Sequence, residues 1–184
     1  MRDEAVKDTR TFEVLVLPHL DAAYNLARWF VRDAHVAQDI VQESFLRALR
    51  FFDSFCGDEA RPWLLGIVRN SCMSWLLEQQ RWPGRVELDA EMIDTLPQAE
   101  GSAGSDPLLA IESRRIGVRI DAAIRALAPQ FREVVVMREI EGLAYAEIAD
   151  IVAIPIGTVM SRQSRARAEL KQSLADFRRQ QKDE

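Results

Sequence analysis

Thr158, Ser161, Arg162 and Arg165 stand three and four residues apart, so a helix through them gathers two hydroxyls and two guanidiniums on one stripe. Such groups suit base edges and phosphates, and one bidentate arginine–guanine contact discriminates by about 1–3 kcal/mol. The flanking residues supply a frame. Tyr145 to Val152 reads as one helix, Ala153-Ile154-Pro155 as a tight connection, and Ile156 to about Phe177 as a second helix. Two helices joined so closely make a helix-turn-helix. Ala149 is small where the helices must approach, and Ile148 and Val152 can pack against Val159 and Ala166. The start of the second helix adds N–H groups able to hold a phosphate. A solvated polar face on an ordinary helical hairpin is the competing reading; the Pro155 turn and the clustered stripe favour DNA.

Two further constellations lie upstream. Asp39, Gln42 and Glu43 share the polar face of an amphipathic helix, where Asp39 and Glu43 repel and Arg47 partly offsets Glu43. Such a face is a dock for a basic partner or simply hydrated surface. Phe51, Phe52, Phe55 and Trp63 precede Asn70. Aromatic faces stabilise unstacked bases by roughly 1–3 kcal/mol each, and an amide both donates and accepts at a base edge. Core packing explains most of these aromatics equally well, but explains Asn70 poorly. His19 and His35 lack a partnered nucleophile or a metal set, and no glycine loop for phosphate occurs. The reading is therefore no enzyme, no catalytic residue, no metal, no cofactor and no small-molecule substrate. Cys56 and Cys72 read as reduced thiols rather than a disulfide framework, with a redox switch as the alternative.

The elements that must position these groups are helical. Leu20, Ala23, Tyr24, Ala27, Phe30 and Val31 recur at helical spacing, with Pro18 opening that helix. Asp33-Ala34-His35 is a corner, followed by a helix burying Val36, Ile40, Val41, Phe45, Ala48, Leu49 and Phe52. A loop with Gly57 leads to a third helix, Trp63 to Gln80, ended by Pro83-Gly84. A second unit begins near Leu108 with Ile116, Ile120, Ala123, Ile124 and Leu127 as its stripe. Pro129 starts the next helix and Glu141-Gly142 closes it. The expectation is an all-α fold of two small helical domains, 1–84 and 108–184, joined by an acidic flexible linker, 85–107.

The formal charge of −5 argues on its own against nucleic acid, but its distribution matters more. Val86 to Glu112 holds seven carboxylates and no Lys or Arg, whereas Gly157 to Lys182 holds seven Lys and Arg against Glu169 and Asp176. No apolar run approaches the roughly 18–20 residues needed to cross a bilayer, and Met1 to Asp8 lacks the apolar stretch of a signal peptide, so a cytoplasmic protein is expected.

Leu127-Ala128-Pro129 through Arg138, then Glu141-Gly142-Leu143-Ala144-Tyr145 through Ala149, then Ile154-Pro155 through Arg162, resembles region 4 of extracytoplasmic-function (ECF) sigma factors, in the sigma-70 family of bacterial RNA polymerase. The resemblance implies binding of the minus-35 promoter element and of the flap of the polymerase β subunit. By position, Ser161 and Arg165 match base-reading sites, and Arg138 and Tyr145 match backbone-contacting sites; Met160 stands where many relatives carry Arg or Lys. Ala37 through Leu49 resembles region 2.2, which grips the β′ coiled coil and so assigns core-polymerase docking to Asp39, Gln42 and Glu43. Phe51 through Phe55 and Trp63 through Asn70 resemble regions 2.3 and 2.4, in which Phe55, Ile67 and Asn70 line the pocket for a melted minus-10 base. Ser71 through Arg81 departs from the family by lacking its dense basic run.

The expected function is therefore transcription initiation by an ECF-type sigma factor that binds core RNA polymerase and promoter DNA. An anti-sigma factor is the expected regulator; if membrane-anchored, it would hold the protein at the inner membrane. A conventional helix-turn-helix regulator, binding duplex operator without polymerase, is the main rival. A helical adaptor that binds only proteins is the other. The sigma reading requires two tethered modules whose Arg162 and Arg165 side is free.

Overall fold

The computed structural model describes residues 10–31, 33–57, 59–81 and 107–180, the last stretch with side chains from 114 to 175. All regular structure among the described residues is helical: α1 (Leu20–Phe30), α2 (Ala34–Arg50), α3 (Ala60–Arg81), α4 (Pro107–Ala126), α5 (Pro129–Val135), α6 (Tyr145–Val152) and α7 (Ile156–Gln180).

Pro18 does not open α1 from a loop. Residues 10–16 are already helical, and Pro18 sits in a 3-10 turn, Leu17–His19, that leads into α1. Asp33 starts α2 as expected of a corner, its Oδ1 accepting from the N–H groups of His35 (2.7 Å) and Val36 (3.2 Å). α3 begins at Ala60, earlier than Trp63, and packs against both α1 and α2. Val16, Leu26, Leu64, Leu65 and Val68 are fully buried there, each leucine contributing about 2 kcal/mol through lost apolar hydration. Leu20 and Leu49, expected on apolar stripes, face out.

In the C-terminal unit Ala123 and Ile124 of α4, and Leu127 just after it, enter the interior, but Ile116 and Ile120 are exposed, so only the last part of the expected stripe is core. Pro129 stands in the first turn of α5, where a missing N–H costs nothing. α5 widens into a π turn, Val136–Ile140, in which the Glu141 N–H donates to the Val136 carbonyl at 3.0 Å. Gly142, at φ +68°, then closes the run as expected of a glycine there. Ala144 has no capping oxygen, and Glu147 reaches back so that its carboxylate accepts from the Ala144 N–H. Between α6 and α7 Ala153 takes the left-handed conformation, φ 57°. Ile154 N–H then donates to Ala149 O (3.1 Å) and Ala153 N–H to Asp150 O (3.3 Å), the Schellman pattern of helix closure. Ile148, Val152, Val159 and Ala166 are all buried in this hairpin.

The two units pack against each other. One hydrophobic cluster runs through both. Gly66 of α3 lies so near α6 that a Cβ there would stand 3.6 Å from Ile151 Cγ1. The Arg125 guanidinium lies 5.2 Å from the Trp29 ring centre. The expected linker falls outside the described residues, except Pro107, which begins α4.

Candidate nucleic-acid interface

α7 buries Val159, Gln163 and Ala166 against the rest of the C-terminal unit, and this registers its other face outward. Ser161 and Arg165 are exposed and Thr158 is half-buried. The Ser161 hydroxyl donates to Thr158 O at 2.9 Å, which holds it while leaving its lone pairs outward. Arg162 departs from the expected open stripe. Its Nη1 donates to Glu133 Oε1 at 3.1 Å, and 24% of its side chain is accessible. The physical reason is the buried Glu133 on α5: a carboxylate removed from water holds the nearest guanidinium. Arg138 and Tyr145 are brought together, the guanidinium 4.7 Å from the ring centre while Nη1 donates to Leu143 O at 2.7 Å. Their pairing fixes the entrance of α6.

Ile67 and Asn70 lie on α3, and Phe55 precedes it. Phe55 and Ile67 are half-buried and Asn70 is exposed. Phe55 packs on Trp63 with ring centres 5.0 Å apart, and Phe52 stacks behind it at 6.1 Å. Phe52 and Trp63 thus serve as packing, and Phe51 is exposed. Asn70 Oδ1 accepts from Arg69 Nη1 at 3.2 Å.

Four charged residues at the seam escaped sequence reading. Arg61 donates to Glu141 Oε2 (2.7 Å) and to its carbonyl (2.5 Å). Arg69 donates through Nε (3.1 Å) and Nη2 (2.8 Å) to Glu133 Oε2. Both carboxylates are buried. Burial pushes the Glu141 carboxyl above its ordinary range, and the Arg61 charge opposes this only in part. His19 is disfavoured as imidazolium first by burial and then by Arg61. The available signal was a carboxylate set in an apolar run, Glu133 before three valines.

Asp39, Gln42 and Glu43 are all exposed on α2, and Glu43 pairs with Arg47 at 2.7 Å as its spacing suggested. Leu46 and Leu49 lie on the same face and are exposed, so the acidic patch continues into an apolar ridge that sequence reading missed. Cys56 is exposed; Cys72 is buried, and burial pushes its thiol up to about 12, which keeps it unreactive. Among the described residues no group of His, Cys, Asp and Glu could hold a metal ion, and no helix is long and apolar enough to cross a membrane.

Comparison with known proteins agrees with this arrangement. Residues 15–82 match the family model for sigma-70 region 2, and residues 117–170 match that for sigma-70 region 4. The RNA polymerase sigma-H factor of Pseudomonas aeruginosa is 34% identical over 181 residues, covering 94% of this chain and 91% of its own. The ECF RNA polymerase sigma-E factor of Salmonella typhimurium is 36% identical over 165 residues, covering 87% of this chain and 84% of its own. Among solved structures, the sigma factor RpoE in complex with the anti-sigma factor NepR from Bartonella quintana superposes with a TM-score of 0.68 at 28% identity, covering 92% of this chain and 98% of that one. With both family regions in order along a fold of this kind, the chain belongs to the sigma-70 family of RNA polymerase sigma factors, in its ECF branch.

Proposed function

We propose that this chain carries core RNA polymerase to a bipartite promoter, with residues 1–84 docking polymerase and capturing a melted minus-10 base, and residues 108–184 reading the minus-35 element as duplex. The observation that carries this reading is the presence, in one chain, of two separate outward edges. Ser161 and Arg165 on α7 are spaced for a major groove, while Phe55, Ile67 and Asn70 offer an aromatic wall, an aliphatic floor and an amide to a single base.

Thr158, Arg138 and Tyr145 support the groove contact, the last two by fixing the α6 entrance against the DNA backbone. Arg162 acts as a positioning residue that ties α7 to Glu133. Asp39, Gln42 and Glu43, extended by Leu46 and Leu49, form the face for the basic and apolar side of the β′ coiled coil. The C-terminal unit meets the β flap. The protein works in the cytoplasm, where promoter DNA lies, and carries out no catalysis of its own. The Bartonella neighbour is held by an anti-sigma factor, and an anti-sigma factor that keeps the two units closed is the regulator proposed here.

Run-off transcription with core polymerase on genomic promoters tests the reading. The expected result is promoter-specific transcripts that require this chain. Absence of such transcripts, with tight binding of the isolated chain to a duplex operator, would transfer the protein to the conventional regulators.

A further inference from the structure

α3 turns two arginines, Arg61 and Arg69, toward the C-terminal unit, and each meets a carboxylate that is almost fully buried, Glu141 at 5% and Glu133 at 4% accessibility. The guanidiniums are less enclosed, with 31% and 18% of their side chains accessible. The cations thus sit where the seam reaches solvent, and the anions sit behind them. Arg69 also holds Asn70, the amide assigned above to the melted base. The guanidinium therefore adjoins the amide proposed to hold the base.

The chain needs such a grip. It carries a net charge of −5, and between Asn70 and Arg81 it has no arginine or lysine. A single strand in the minus-10 unit must find its phosphate contacts elsewhere. Guanidinium binds carboxylate and phosphate through the same fork of parallel N–H donors.

We propose that Arg61 and Arg69 are phosphate-binding residues of the minus-10 unit, and that Glu141 and Glu133 stand in for the DNA phosphates while the two units are closed. This rests on the promoter reading above. The exchange is physically balanced, since each guanidinium trades one anion for another. Glu133 keeps Arg162 on its other oxygen, Oε1, so the departure of Arg69 does not leave a bare buried carboxylate. Glu141 returns to water as the seam opens, which removes the desolvation it suffers when closed. The closed chain therefore masks its own single-strand site, and whatever parts the two units unmasks it.

The test separates opening from charge. Gly66→Trp drives a wedge into the contact with Ile151 and leaves all four charged groups in place; Ile151→Asp opens the same seam while adding a negative charge that works against DNA. Small-angle scattering reports which of the two expands the full-length chain. Binding to a fluorescein-labelled 20-nucleotide single strand of mixed sequence is then followed by anisotropy across a salt series, because phosphate contacts are indifferent to sequence. An expanded chain is expected to bind about tenfold tighter, since apparent affinity scales with the competent fraction. Its salt slope should steepen by about 0.7 for each phosphate gained. Arg61→Ala with Arg69→Ala should erase both gains in the expanded chain. The same pair without the wedge should gain nothing, although it too loosens the seam.

An expanded chain that binds no more tightly overturns the proposal, as does a gain that survives loss of both arginines. Run-off transcription by the wild-type chain tells the two failures apart. If transcription is promoter-specific while the wedge experiment fails, only the phosphate assignment falls; if no such transcript forms, the promoter reading falls and takes this one with it.

Discussion

α3 and α7 are both proposed to meet DNA, yet they place their cations in different surroundings. α7 is covered on one side by the C-terminal unit, so its register leaves Ser161 and Arg165 in solvent. α3 is covered on two sides, by α1 and α2 on one and by α6 on the other. Its arginines therefore emerge into a seam, where buried carboxylates wait. Even within α7 the same rule holds, because Arg162 is drawn to Glu133 while Arg165, one turn later, is not. The position of a cation on a helix is decided less by its own hydration than by how many sides of the helix are covered and where anions have been buried.

The strongest way to break this comparison is to remove the free and the held arginine of α7 in turn. Arg165→Ala should weaken promoter binding by the holoenzyme about tenfold to hundredfold, the equivalent of about 1–3 kcal/mol for a base-reading guanidinium, with no change in melting temperature. Arg162→Ala should do the reverse, lowering the melting temperature by loosening α7 from Glu133. Gel-shift titration on the promoter and thermal unfolding of the free chain measure the two. If both variants lose promoter affinity and keep their stability, the held arginine is a reader after all.

A smaller effect separates the partners of one seam pair. Arg61→Ala leaves Glu141 behind as an uncompensated carboxylate, at a cost of about 2 kcal/mol that opening of the seam then limits. Glu141→Gln leaves a guanidinium that already reaches water and an amide oxygen that can still accept from it, so it should cost less than about 1 kcal/mol. Urea denaturation of both variants gives the ratio. Equal losses would mean that the pair acts as a surface contact rather than a half-sealed one.

The helix-turn-helix was legible because its constraints are local: Ala149, Pro155 and the three-and-four spacing of α7 depend on neighbours within twenty residues. Asp33 and Gly142 were legible for the same reason, since a cap and a helix terminator are set by backbone chemistry. The errors have a common source. Ile116, Ile120, Leu20 and Leu49 fit their helical stripes and are exposed, because a stripe states which face is apolar and not whether a neighbour covers all of it. Arg61, Arg69, Glu133 and Glu141 were passed over because the two ends of each pair lie 64 and 80 residues apart. Nothing local in a helix announces that a distant element will bury its charge. The Leu46 and Leu49 ridge was missed because Leu49 was placed in the interior with its stripe and Leu46 was given no role.

The pH dependence of the seam sharpens the contrast further. Burial raises the Glu141 carboxyl in the folded chain above the ordinary value of 4.5, so the folded state holds its proton more tightly than the unfolded state does. Between that ordinary value and the raised one the folded chain binds more protons, and stability falls as pH rises through this window and levels off above it. Lowering the pH from neutrality into the window should therefore stabilise the wild-type chain relative to Glu141→Gln, which has no proton to gain. Melting temperatures of the two proteins across the window check the sign. Parallel curves would show that Arg61 fully compensates the buried charge.

The smallest expected effect concerns how α7 is aimed at all. Ala153 is the only non-glycine residue at positive φ among the described residues, and it forms the turn from which α7 departs. An alanine in the left-handed region costs about 1 kcal/mol, and glycine there removes the clash at the expense of a looser unfolded chain. Ala153→Gly should thus stabilise the protein by about 0.5 kcal/mol, read as a rise in the urea midpoint, and leave promoter affinity unchanged. A fall in affinity with the same gain in stability would show that the alanine methyl limits the angle of α7. The outward face of α7 would then depend on its turn as well as on its packing, whereas α3 is held by packing and charge alone.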